Sequence, residues 1–230
     1  MKLLALDTAT EACSAAVLAG DALVSRYIET ERGHSEQILI LIDAVLAEAG
    51  LRLRELDAVA FGRGPGAFTG VRLAASIAQG LAFGADLPVI PVSDLRALAQ
   101  RLIDAEGALQ GTLVCNDARM HEVYWACFRR GAEGIAEPYA DERVGSPDGV
   151  QLPEEVATPL AGAGRGFRAY PELQHRLGHS LVRVEADWLP RATEVARLAA
   201  VEHAAGRSVA AEEALPVYLR NEVARTPSRD

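Results

Sequence analysis

The sequence predicts an α/β chain of two related halves, each opening on an apolar strand that ends in an acid and turns into a hairpin. Three observations predict it. Apolar runs of strand length alternate with stretches of helical periodicity, the pattern that parallel crossovers leave in a sequence. Leu3-Leu4-Ala5-Leu6-Asp7, with Glu11 and a second strand behind it, is echoed by Thr112-Leu113-Val114-Cys115-Asn116-Asp117, with Glu122 and the strand 123–128 behind it. Such an echo marks a duplicated unit with a cleft between its halves. Lastly, Phe61-Gly62-Arg63-Gly64-Pro65-Gly66-Ala67-Phe68-Thr69-Gly70-Val71-Arg72 reads as a strand end, a tight loop and a helix start.

Residues 3–6, 13–19 and 22–28 are short apolar or alternating runs, and Gly20-Asp21 between the last two signals a hairpin, so the chain begins as an antiparallel meander. Residues 35–49 place Ile38, Leu41, Ile42, Val45, Leu46 and Ala49 on one helix face, closed by Gly50. A buried strand over 58–61, a helix over 71–84, and a short strand over 87–92 follow. Ser93-Asp94 starts a helix that runs to about residue 104. Gly107 and Gly111 mark a boundary, giving a first lobe of 1–106, joined by a returning segment 215–230, and a second lobe of 107–214. In the second lobe, 132–159 is rich in glycine, proline and acids and predicts loops with an irregular strand. A strand ending in glycine (160–164), a helix around 168–177, a strand over 181–184, a helix over 193–205 and an extended segment over 215–219 complete the chain.

With 230 residues, half of them hydrophobic, the chain can bury a core as one large domain or two small ones. A net charge of −9 argues against holding nucleic acid by its own field, because phosphate binding needs a basic surface; any RNA would be held mostly by another subunit. Cys13, Cys115 and Cys127 are too far apart for a Cys-x-x-Cys site and suit a reducing compartment. Met1-Lys2 runs straight into the first strand, with no signal-peptide pattern and no apolar run of membrane-spanning length, so the expected location is the cytoplasm, away from any membrane.

The glycine loop permits close backbone approach, and a helix start behind it can receive an anion on free amides. No Gly-Lys-Ser/Thr follows, however, and the spacing also misses the dinucleotide fingerprint. Asp7 sits where sugar-kinase and actin-like folds put the aspartate that handles a bound nucleotide, with Thr8 and Thr10 as hydroxyl contacts; a strand-terminal aspartate also caps its own turn. His175 and His179 are spaced like a metal pair, but Gly178 intervenes and no acid completes a site. His34 has no serine or cysteine partner. Neither a complete catalytic set nor a metal site is present. The two helices carry more apolar surface than one core face requires: Leu39 and Ile40 lie off the stripe of the first, and 71–84 has only Arg72, Ser76 and Gln79 as polar residues. Both helices are either sandwiched within the chain or form a docking surface for a second subunit.

Several segments together resemble one family: 4–14, His34-Ser35-Glu36, Gly64-Pro65-Gly66-Ala67-Phe68-Thr69-Gly70-Val71-Arg72, 80–84, Asp117-Ala118-Arg119-Met120-His121-Glu122-Val123-Tyr124, and Pro216-Val217-Tyr218-Leu219-Arg220. In order, and over nearly the whole chain, they look like the TsaB (YeaZ) family, the bacterial subunit of the machinery that makes N6-threonylcarbamoyladenosine at position 37 of tRNAs reading codons that begin with A. The resemblance implies an actin and hexokinase-like (ASKHA) fold of two ribonuclease-H-like lobes. It also implies a non-catalytic paralogue of TsaD, the subunit that transfers threonylcarbamoyl to tRNA. The histidine pair that binds metal in TsaD falls here on Asp94 and Leu98, which cannot replace two imidazoles. That loss also argues against the peptidase activity suggested by the label M22 glycoprotease.

From the resemblance, the docking surface comprises Ile38, Leu39, Leu41, Ile42, Val45, Leu73 and Ile77, and meets TsaD, or a second copy of the chain when alone. TsaE, an ATPase, would join the pair, tRNA would be reached through the complex, and an adenine nucleotide would sit near the TsaD interface, with no cofactor held by this chain itself. The alternative is a stand-alone nucleotide-dependent transferase or peptidase using the cleft and Asp7.

Overall fold

Alternation along the first strands sends apolar side chains to both faces of a sheet, and this two-sided burial sets the architecture. The computed structural model describes residues 1–156 and 159–220. In it β1 (Lys2–Asp7), β2 (Ala12–Ala19) and β3 (Ala22–Glu29) form the expected meander. Strands β4 (Ala58–Gly62) and β5 (Val89–Val92) add in parallel beyond β1, for an order β3-β2-β1-β4-β5. One face of this sheet, with Leu4, Leu6, Val17, Val59 and Phe61, is covered by α1 (His34–Ala49) and α2 (Phe68–Ala85). The second helix starts three residues before the expected Val71, because Phe68 and Thr69 already belong to its first turn.

The second half repeats the plan. After α3 (Asp94–Ala105), the strands β6 (Gly111–Arg119) and β7 (Glu122–Arg130) form an antiparallel pair, with β8 (Ala136–Pro138) and β9 (Arg143–Gly145) both against β7. Strands β10 (Leu160–Ala163) and β11 (Leu181–Glu185) lie parallel on the other side, giving β11-β10-β6-β7-β8. This is the first sheet's order with each strand replaced by its counterpart, so two lobes of ribonuclease-H-like topology make up an actin and hexokinase-like α/β fold. The predicted single helix at 168–177 is instead two, α4 (Arg165–Ala169) and α5 (Pro171–Leu177). Pro171 has no N–H to continue the first helix and drives Tyr170 out of the helical region, to φ −133° and ψ 79°.

Helices cross between the halves. The face of the second sheet bearing Val114, Ala126, Phe128, Ala161 and Ala163 packs on Leu95, Leu98, Ala99 and Leu102 of α3. The remaining face of the first sheet packs on α6 (Ala192–Ala204), where Ala5, Ala16, Ala58 and Ala60 oppose Ala192, Ala196 and Ala199, small residues that let helix and sheet approach closely. Helices α3 and α6 thus form a shared layer between the sheets. Ser93 accepts the Arg96 N–H at 3.1 Å as the N-cap of α3. Ser93→Ala is expected to cost about 1 kcal/mol, measured by chemical denaturation. The final described segment is tied to the first lobe by the Val217 N–H, which donates to the Arg63 carbonyl at 2.8 Å; residues 221–230 of the returning segment lie outside the described residues.

Candidate functional site

Two regions collect the residues singled out by the sequence: the seam where the β1–β2 turn, the glycine loop and the β6–β7 turn meet, and the outer surface of α1 and α2. At the seam, β1 delivers Asp7 fully buried, and its Oδ1 accepts the Ala9 N–H at 2.8 Å. The Thr8 hydroxyl donates to the Gly70 carbonyl at 2.7 Å, and the Thr10 hydroxyl accepts the Ala12 N–H at 3.2 Å. The Ala67 N–H donates to the Ala9 carbonyl at 2.7 Å, so one amide of the expected anion cradle is bound by the protein itself. The loop's glycines serve contact between backbones. A Cβ on Gly66 would lie 2.3 Å from the Ala9 carbonyl oxygen, and one on Gly70 2.0 Å from that of Thr8.

Asp94, the first residue of α3, is also fully buried and accepts the Gly64 N–H through Oδ2. It faces Asp7 at hydrogen-bonding range beside Gly62, where a Cβ would fall 2.6 Å from Asp94 Oδ1 and 2.9 Å from Asp7 Oδ1. Burial pushes the Asp7 carboxyl up to about 6 and that of Asp94 well above the usual range, the neighbouring Asp7 charge adding to the latter. Sequence reasoning saw Asp94 only as a helix-start acid and as the counterpart of a TsaD histidine. Nothing in one dimension shows that it points at Asp7. Leu98, the other counterpart, is packed in the core under the second sheet.

Beside this seam lies a cleft of about 620 Å³ between the lobes, lined by Thr10, Glu11, Glu29, Asn116, Asp117 and Arg165 among others. Its charges pair across the lobes: Arg119 meets Glu11 at 3.0 Å, and Arg165 meets Glu11 at 3.2 Å and Glu29 at 2.7 Å. A second cavity, of about 650 Å³, is lined by Thr8, Thr10, His34, Phe68, Leu73, Tyr124 and Tyr218 among others. Thr10 lines both cavities, and Thr8, itself fully buried, borders the second; Asp7, also fully buried, lines neither. His34 Nε2 sits 2.9 Å from the Thr10 carbonyl, a packing role. Among the described residues no group of three or more His, Cys, Asp or Glu side chains is arranged to hold a metal ion. The buried thiols are weak nucleophiles, with desolvation raising Cys13 to about 11 and Cys127 to about 12.

The helical surface divides the residues named for docking. Ile38, Leu41, Ile42 and Val45 face the first sheet and belong to its core, Ile42 with only 2 % of its surface exposed. Their apolar face is satisfied within the chain, which removes them from a free surface. Leu39 is 50 % exposed, and Leu73 and Ile77 are half-buried at the edge of the core. Sequence reasoning did not place Ile40, 60 % exposed, or Phe83, 82 % exposed, among the docking residues, although Ile40 was noted as lying off the stripe. Gly80 and Gly84 are exposed beside Phe83 on α2.

The family model described as "TsaD: tRNA N6-adenosine threonylcarbamoyltransferase" matches residues 28–224. The chain is 42 % identical to the tRNA threonylcarbamoyladenosine biosynthesis protein TsaB of Escherichia coli, covering 97 % of this chain and 96 % of that protein. It is 40 % identical to the protein of that name from Haemophilus influenzae, covering 100 % and 99 %. Among solved structures, YeaZ from Pseudomonas aeruginosa superposes with a TM-score of 0.85 at 42 % identity, over 95 % of this chain and 99 % of that one.

Proposed function

Since the chain belongs to the TsaB (YeaZ) family of tRNA threonylcarbamoyladenosine biosynthesis proteins, we propose that it acts there as a non-catalytic scaffold and activator that docks to TsaD through the outer faces of α1 and α2. The observation that carries this reading is the apolar surface left after the core is satisfied: Leu39 and Ile40 on α1 and Phe83 on α2 stand in solvent, and Leu73 and Ile77 of α2 are only half-buried. Exposed Gly80 and Gly84 permit a partner helix to approach closely on α2. The self-paired charges of the cleft and the burial of Asp7 weigh against a stand-alone transferase or peptidase centred on that residue. In this reading TsaE joins the pair, tRNA is reached through the complex, an adenine nucleotide sits near the TsaD interface, and the protein works in the cytoplasm. No helix among the described residues is long and apolar enough to cross a membrane.

The test is tRNA threonylcarbamoylation in a reconstituted mixture of TsaD, TsaE, threonylcarbamoyl-adenylate and tRNA. Product is expected to require this protein and to fall at least about tenfold with Leu39→Glu or Ile40→Glu, because a charge placed in an apolar interface is left without a partner. The same variants are expected to turn a dimer of the isolated chain into monomer if two copies use this face. Equal product without the protein overturns the scaffold reading.

A further inference from the structure

Two wholly buried carboxyl groups in contact cannot both carry charge without strong compensation. Asp7 and Asp94 meet beside Gly62, the side-chain-free position that leaves them room, and each keeps one oxygen without a protein donor: Oδ2 of Asp7 and Oδ1 of Asp94. The charged groups around them are otherwise engaged. Arg63 of the glycine loop pairs with Glu142 at 3.2 Å, and Glu194 of α6 pairs with Arg191. From β2 the uncharged Ser14 stands opposite Asp7, its hydroxyl accepting the Ala192 N–H, while Cys13 points to the other face of the sheet. Glu194 adds negative potential at Asp7, and Arg63 a partial positive one at Asp94.

We propose that Asp7 and Asp94 hold a single proton between them, and that this carboxyl–carboxylate hydrogen bond anchors the start of α2. The remaining oxygens explain what is anchored. Asp7 Oδ1 fixes the β1–β2 turn through the Ala9 N–H, and Asp94 Oδ2 fixes the glycine loop through the Gly64 N–H. That turn in turn holds the first residues of α2 by the Ala67–Ala9 and Thr8–Gly70 hydrogen bonds. The proton therefore joins β1, the glycine loop and α3 at one point, and its loss sets two negative charges against each other beneath α2.

The sign of the pH dependence follows. Both folded carboxyls bind protons more tightly than the unfolded chain, whose aspartates titrate near 4. Stability from the pair is full below that value and declines as pH rises through about 6, the value for Asp7, and beyond. Asp94→Asn should remove Asp94's share of this decline and leave the part that the burial of Asp7 causes, because its amide oxygen accepts the Gly64 N–H while its nitrogen donates to Asp7, replacing the shared proton by a fixed one. Between pH 5 and pH 8 the thermal midpoint of the wild-type protein is expected to drop by roughly 5 °C more than that of Asp94→Asn. Parallel curves for the two proteins overturn the proposal. So does a rise in the wild-type midpoint at pH 8 on adding Mg²⁺ or Ca²⁺ that Asp94→Asn lacks, which would put a cation between the acids. Should Asp94→Asn fail to fold, a carboxyl-carbon NMR titration of the wild-type protein decides: one of the two aspartates still protonated at pH 6 supports the shared proton, and both ionised at pH 5 overturns it.

Discussion

Gly70→Ala is expected to destabilise the protein by about 3 kcal/mol, lowering the urea midpoint by about 1 M or more, although the same change improves the intrinsic helix propensity of α2. Two effects compete. Alanine in place of glycine within a helix gains about 1 kcal/mol. At this position, however, the new methyl would stand 2.0 Å from the Thr8 carbonyl oxygen, with the Thr8 hydroxyl already bonded to the Gly70 carbonyl on the same side. The helix start has to leave the β1–β2 turn, and the Ala67–Ala9 and Thr8–Gly70 hydrogen bonds go with it. Gly80→Ala on the same helix meets nothing within 4 Å and should gain the propensity without the clash, so the two substitutions are expected to move the midpoint in opposite directions. A loss of stability in both would mean that close approach is not what fixes Gly70.

Ile42→Glu and Leu39→Glu, three positions apart on one helix, should separate folding from docking. Ile42 lies against the first sheet with 2 % of its surface exposed, in a cluster with Val17, Val59 and Phe61. A carboxylate there has no partner, and a cost of about 4 kcal/mol or more is expected, enough to unfold most of a marginally stable chain. Leu39, half exposed, has room for a glutamate in water, and its substitution should change stability by less than about 0.5 kcal/mol. Circular dichroism and denaturant midpoints measure both. A folded Ile42→Glu protein would mean that α1 does not pack as described. Loss of product with Leu39→Glu then reports on docking alone, whereas the same loss with Ile42→Glu does not.

The meander, both crossover strands and α1 were legible because period-2 and period-3.6 patterns there are clean and glycine closes them, as Gly20 and Gly50 do. The duplicated unit was legible because each half sets an apolar strand before an acid, Asp7 or Asp117, with a further acid, Glu11 or Glu122, and a second strand behind it; β6 itself runs two residues past Asp117, to Arg119. What stayed hidden depends on three-dimensional neighbours. A stripe such as Ile38, Leu41, Ile42 and Val45 gives the same signal whether a sheet of its own chain or a partner covers it, and only burial separates these from Leu39 and Ile40. Asp94 reads as an ordinary first-turn acid until the start of α3 is placed beside Gly62 at the end of β4, where Asp7 also arrives. Asn116 and Arg165, which line the cleft, come from segments far apart in the chain, and their meeting follows from sheet order, which residue spacing does not encode.

The crossing of α3 and α6 makes each half a late customer of the other. Leu3, Ile90 and Val92 of the first sheet find most of their cover in residues 192–204, some hundred positions further along the chain than β5. Opening the cleft would have to shear the helical layer that both sheets hold in common.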